Sequence, residues 1–298
     1  MGNGDNMAEC NGNCDNCPSK NTCPDTKKLL AQQDAKIREN MSKIKHKIVI
    51  LSGKGGVGKS TVTVNLAAAL NLMGKKVGVL DADIHGPNIP KMLGVENVQP
   101  MAGPAGIFPI ITKDGIKTMS IGYLLPDDKT PVIWRGPKVS GAIRQFLADV
   151  VWGELDYLLI DTPPGTGDEQ LTIMQSIPDI DGAIIVTTPE EVSLLDVKKS
   201  ITMAKMLNIP IIGIIENMSG FVCPYCNKVV DIFGKGGGEK AAKEFGVEFL
   251  GRIPLDIKAR EASDKGIPMV LLDCKASEEF KKIVKRIVEK VEGKKEKE

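Results

Sequence analysis

From Lys47 onward, hydrophobic positions come in short unbroken runs separated by polar and helix-forming stretches. "KIVILS", "KKVGVLDAD", "LDYLLIDTP", "DGAIIVTTP" and "IPIIGIIEN" each close on polar or turn residues, and most precede a helical stretch such as "STVTVNLAAALNLMG". A half-exposed strand alternates apolar with polar, whereas an unbroken aliphatic run predicts a strand buried on both faces. Such strands alternating with helices predict an α/β fold with a doubly wound, mostly parallel sheet, in which ligands bind at the carboxyl ends of the strands. "GIFPIITKDGIKTMSIGYLL" predicts a β-hairpin turning at Lys113-Asp114-Gly115 on the sheet edge. Near the C-terminus, Phe280, Ile283, Val284, Ile287 and Val291 recur at helical spacing. This predicts a helix covering the sheet, with a lipid anchor as the rarer use of a basic amphipathic helix.

The first part of the chain is different. Residues 1–24 are rich in Gly, Asn, Asp and Cys, with too few apolar side chains to form a core without a ligand. Residues 25–46 are helix-forming but carry only a thin apolar stripe at Leu29, Leu30, Ile37, Met41 and Ile44, as expected of a linker helix on the surface or on a partner. The expected organisation is a cysteine-rich segment (1–24), a linker helix (25–46), an α/β domain (47–292) and a charged tail (293–298).

Composition narrows the function. With 42% hydrophobic and only 4% aromatic residues, the core must be aliphatic. Lysine and arginine (39) balance aspartate and glutamate (38), so no bulk positive field draws the chain to nucleic acid or an anionic membrane. The polar start lacks a signal segment and no apolar run nears the roughly 20 residues of a membrane span, so the expected location is cytoplasmic. In a reducing compartment seven cysteines point to metal or redox chemistry rather than disulfides. Cys274 stands alone and reads as a small semi-buried side chain.

"GKGGVGKS", residues 53–60, fits G-x-x-x-x-G-K-[ST] directly after a strand and before a helix. Gly53, Gly55, Gly56 and Gly58 let the backbone curl around phosphate, with Val57 between them and Thr61 opening the helix. Lys59 is expected on the β and γ phosphates, and the Ser60 hydroxyl on Mg2+. Lys54 lies on the far side of the loop, where it suits a nucleotide held by a second subunit in a face-to-face homodimer. Asp161 closes a strand, the usual place for a carboxylate in the Mg2+ shell. Asp81 and Asp83 close another: Asp81 is expected near the metal, Asp83 as the group orienting the attacking water. The guanine-reading Asn-Lys-x-Asp motif is absent, since "NKVVD" has one residue too many. Asn217 ends a strand where its amide can meet an adenine edge, which favours ATP.

Cys223 and Cys226 lie in "FVCPYCNK". Two thiolates cannot complete a zinc site or an iron-sulfur cluster, each of which needs about four protein ligands. The dimer implied by Lys54 would supply four, so a shared cluster leads; zinc, a redox pair and structural thiols remain open. Cys10, Cys14, Cys17 and Cys23, spaced C-x3-C-x2-C-x5-C, suffice for a second cluster within one chain, with zinc as the alternative.

These motifs, with "LDADIHGPNIPKMLG", "WRGPKVSGAIRQFL", "VTTPEEVSLLDVKKS" and "GRIPLD" in the same order, resemble the Mrp/ApbC-type iron-sulfur cluster carrier ATPases over about residues 45–292. That family belongs to the deviant Walker A class, whose signature lysine Lys54 matches. The resemblance implies a homodimer bridging a labile 4Fe-4S cluster through Cys223 and Cys226. It also implies ATP hydrolysis with Mg2+, cluster donors upstream and apo iron-sulfur proteins as recipients, with neither nucleic acid nor membrane as partner. The N-terminal cysteines resemble those of the eukaryotic scaffold branch, although only three residues separate Cys10 from Cys14 where that branch has a longer gap. A MinD-like positioning ATPase and an ATP-dependent electron-transfer reductase are the competing expectations.

Overall fold

The computed structural model describes residues 24–124, 136–190, 193–223, 225–226 and 228–293. The N-terminal cysteines Cys10, Cys14, Cys17 and Cys23 lie outside them. Helix α1 (Pro24–Ser42) leads into the central strand β1 (Ile44–Leu51), followed by α2 (Lys59–Leu72), β2 (Val77–Asp81) and the short α3 (Ile89–Met92). A small antiparallel pair, β3 (Ala102–Gly103) and β4 (Gly106–Ile107), precedes β5 (Ile110–Ile111) and β6 (Lys117–Ser120). Then come α4 (Gly136–Asp149), β7 (Leu155–Asp161), α5 (Asp168–Ser176), β8 (Gly182–Thr187), α6 (Ser193–Met206) and the long β9 (Ile211–Val222). The chain continues through β10 (Val229–Val230), α7 (Gly237–Phe245), β11 (Phe249–Leu255), α8 (Ile257–Ser263) and α9 (Lys275–Glu292).

Among the described residues these strands build a nine-stranded sheet. Its parallel body runs β11-β9-β8-β1-β7-β2-β6, with β5 antiparallel on the β6 edge and β10 antiparallel on the far end of β9. Ile48, Val49, Ile50 and Leu51 of β1 are all fully buried. Val49 and Leu51 face one core with Ile143 and Phe146 of α4, while Ile48 and Ile50 face the other with Leu66 of α2 and Phe280 of α9. This two-sided burial is why the strands read as unbroken apolar runs. The expected hairpin forms, with Gly115 at φ 91° in its turn; β6 then joins β2 in parallel, leaving β5 as the edge.

Helix α1 stops at Ser42, and Ile44 already belongs to β1. Its stripe is used unevenly: Ile37 is 2% exposed, whereas Leu29 is 61% exposed. The buried half is fixed by the Asn40 amide, which donates to the Leu147, Ala148 and Val150 carbonyls where α4 ends. At the other end of the chain, Phe280, Ile283, Val284, Ile287 and Val291 are buried in the core shared with β11, so α9 covers the sheet. No helix among the described residues is long and apolar enough to cross a membrane.

Candidate phosphate site and cysteine hairpin

Strand β1 delivers the chain into the loop that ends at Gly58, and α2 begins at Lys59. Gly56 and Gly58 take φ of 78° and 85°, the left-handed region that side chains disfavour. A Cβ at Gly58 would overlap the Asn217 amide, and one at Gly53 would overlap Asp196. The loop floors a cleft of about 400 Å³ that Asp83, Asn88 and Lys91 also line.

The strand ends gather the charges. β2 and β7 pair in parallel with Asp81 opposite Asp161, and both aspartates are fully buried. Asp161 accepts the Ser60 hydroxyl at 2.6 Å and the Thr63 hydroxyl at 2.7 Å, which fixes the first turn of α2. The Lys59 Nζ lies 2.8 Å from the Asp161 carboxylate, but at an angle that makes no hydrogen bond. A buried ammonium without a hydrogen-bond acceptor, lining the cleft with the glycine loop, fits an incoming phosphate. Asp81 accepts from the Ser120 hydroxyl at 2.9 Å and the Asp83 N–H at 3.2 Å. Burial, reinforced by the Asp161 charge, pushes its carboxyl well above the usual range despite Lys59. Burial also raises Asp83, which lines the cleft and accepts from the Gly86 N–H at 3.3 Å.

Asn217 donates its amide to the Val57 carbonyl at 2.9 Å, so β9 props the phosphate loop directly. Lys54 lies 2.7 Å from Glu190, whose carboxylate also accepts from the Thr188 hydroxyl at 2.7 Å and the Ser193 hydroxyl at 3.3 Å. The lysine and these hydroxyls hold the Glu190 carboxyl below its usual range. Sequence reading missed Glu190, Thr63 and Ser120. Only the position of Glu190, just past the end of the β8 run, hinted at it.

The cysteines sit on a hairpin where Val229 and Val230 of β10 pair with Val222 and Phe221 of β9. The Cys223 N–H donates to the Lys228 carbonyl at 3.0 Å. Cys223 is half-buried, Cys226 is exposed, and Tyr225 between them is 96% exposed. The N–H groups of Tyr225 and Cys226 turn toward the Cys223 sulfur and lower its pKa, as does the Cys226 thiol. The pair occupies a hairpin tip rather than the helix N-terminus of a thiol redox motif. Among the described residues no group of three or more His, Cys, Asp or Glu can hold a metal ion. Cys274 precedes α9 as a half-buried thiol whose pKa burial raises.

A protein of Methanocaldococcus jannaschii named iron-sulfur cluster carrier protein is 97% identical over 290 residues, covering 97% of this chain and 100% of the relative. A Methanococcus maripaludis protein of the same name is 72% identical over 95% of this chain and 98% of its own length. An ADP-bound nucleotide-binding protein of Archaeoglobus fulgidus superposes with a TM-score of 0.70 at 45% identity, covering 78% of this chain and 91% of its own. The septum site-determining protein MinD of Pyrococcus horikoshii, solved with Mg-ADP, gives 0.57 at 28% identity over 81% of this chain and 95% of its own. A profile within the ParA group, described as NUBPL iron-transfer P-loop NTPase, matches residues 43–292, and the chain belongs to that family.

Proposed function

We propose that this chain is an ATP-dependent carrier of iron-sulfur clusters, in which two copies hold a 4Fe-4S cluster between their Cys223 and Cys226 pairs and pass it to apo-proteins. The observation that carries this is the incompleteness of the hairpin. It presents two thiols with no third ligand among the described residues, on a chain that also has the groups of a phosphate site. A cluster held by four thiolates from two chains can be released by moving one chain against the other. The relatives' shared name supports the same reading.

At the nucleotide end, the loop N–H groups and Lys59 bind the phosphates, and Asp83 orients the attacking water. Mg2+ fits Ser60, Asp161 and Asp81, where it would neutralise charge on the phosphate oxygens. Asn217 contacts the base as well as the loop. Lys54 leaves Glu190 on dimerisation and reaches the partner's nucleotide. A cytoplasmic location, where thiols stay reduced, suits this metal-binding role. The MinD-like alternative is weakened because α9 uses its apolar face on β11 instead of keeping it for lipid. The N-terminal cysteines Cys10, Cys14, Cys17 and Cys23 are proposed to hold a second cluster.

Anaerobic reconstitution tests the proposal, with iron and sulfide measured on the parent, on Cys223→Ala/Cys226→Ala, and on a variant lacking the four N-terminal cysteines. The N-terminal variant is expected to bind about four irons per two chains, which an apo-acceptor then removes. The hairpin variant is expected to lose that share. Equal iron in the parent and the hairpin variant would sink the proposal, and a cluster that cycles in redox state without leaving would favour the reductase.

A further inference from the structure

"GKGGGEK", residues 234–240, is a second glycine-rich tract running into a helix. Its N–H groups are already used by an anion of this chain. Glu216, fully buried in β9, accepts from the Gly238 N–H at 2.7 Å with one carboxylate oxygen. The other oxygen takes the Gly236 N–H at 3.2 Å, the Ser219 hydroxyl at 2.6 Å and the Arg252 Nε at 3.1 Å. The glycines are needed for this fit. A Cβ at Gly238 would lie 3.1 Å from the Glu216 Cβ, and one at Gly237 would overlap the Pro189 carbonyl.

These contacts connect the phosphate loop to the cysteine hairpin, which follow the carboxyl ends of the parallel strands β1 and β9. Pro189 precedes Glu190, the partner of Lys54, so the loop that holds Lys54 presses its backbone on the start of α7. The residue after Glu216 points to the opposite face of the strand. That residue is Asn217, which holds the phosphate loop through Val57. Beyond it β9 leaves regular strand geometry, with Met218 at φ 58° and Gly220 at φ 83°, before reaching Cys223. Ser219, tied to Glu216, lies between these two bends.

We infer that Glu216 is a positioning residue that couples nucleotide occupancy to the geometry of the Cys223–Cys226 hairpin. Displacing Lys54 or the phosphate loop shifts Glu190 or Asn217. The first reaches Glu216 through Pro189 and the Gly236–Gly238 tract, the second acts at the adjacent Asn217, and Ser219 passes the shift to the bent end of β9. The inference builds on the carrier proposal but can be tested without a cluster.

Peptide-resolved alkylation of the full-length apo-protein with N-ethylmaleimide, with and without a non-hydrolysable ATP analogue, reads the coupling at Cys223 and Cys226. The analogue is expected to change the parent rate by about five-fold, the lower end of usual site-to-site coupling. In Glu216→Gln the change is expected to vanish while affinity for the analogue stays within about two-fold, because a purely structural defect would alter both. Should that variant fail to fold, Ser219→Ala removes one contact of the four and is expected to cut the effect by at least about half. The coupling role is overturned if the analogue leaves the parent rate unchanged. It is equally overturned if the folded variant shows the parent's full response. Either result leaves the carrier proposal standing, because that depends on iron and sulfide binding.

Discussion

The phosphate loop and the cysteine hairpin both lie at carboxyl ends of the sheet's strands, yet they are built differently. The loop is enclosed: Asp81 and Asp161 are fully buried, two hydroxyls fix Asp161, and glycines fill positions where a Cβ would collide. The hairpin has a two-residue edge strand and carries Tyr225 almost bare to solvent. A buried polar constellation is specified by its neighbours, because any unmade bond there costs about 1–3 kcal/mol. An exposed hairpin has no such constraint, and its Cys226 thiol stays open to solvent. One chain thus holds the groups of a phosphate site, whereas the two thiols of the hairpin become a metal site only in the proposed dimer.

Four substitutions can break or sharpen this contrast. Lys59→Ala should lower ATP hydrolysis by about 10² to 10³-fold, the scale of losing one preorganised charge-stabilising group. Iron and sulfide loading of the hairpin without nucleotide should stay at the parental level; a parallel loss of loading would show that the two sites are not separately built. Lys54→Ala should keep nucleotide binding but lower hydrolysis by about 100-fold and abolish ATP-driven self-association in sedimentation, as for a group acting in trans. Full hydrolysis in that variant would mean that the ion pair with Glu190 is the lysine's only role.

The buried Asp81 carboxyl gives a smaller effect. Because burial and Asp161 raise the folded pKa of Asp81, its contribution to stability is present at low pH and lost as pH rises through that value. Asp81→Asn should therefore stabilise the nucleotide-free protein by about 1 kcal/mol at pH 8, with the gain shrinking toward pH 4. A gain that grew with acid would reverse the assignment. Tyr225→Ala should change the unfolding free energy by less than about 0.5 kcal/mol, as expected of a side chain outside the core. A larger cost would show that the hairpin is part of the folded core.

Much of the phosphate end was legible in advance because it is local. The eight residues "GKGGVGKS" carry their own geometry, and Asp81 and Asp161 each sit where an apolar run stops. Glu190 was not legible, since only the approach of the β8 loop to the phosphate loop makes it the partner of Lys54. Asn217 was visible as a strand-end amide, but its bond to Val57 spans 160 positions of sequence. "GKGGGEK" gave no sign that its occupant would be Glu216, two elements earlier.

The sequence by itself determined the doubly wound fold, the phosphate loop, and the pairing of two cysteines with too few ligands for a metal site. These follow from hydrophobic period, glycine placement and ligand number, each a property of neighbouring residues. Only the tertiary structure decided that Lys54 rests on Glu190, that Asn217 props the loop, and that a buried glutamate fills the second glycine tract. Those contacts depend on which strand ends the sheet order brings together, and no local pattern encodes that order.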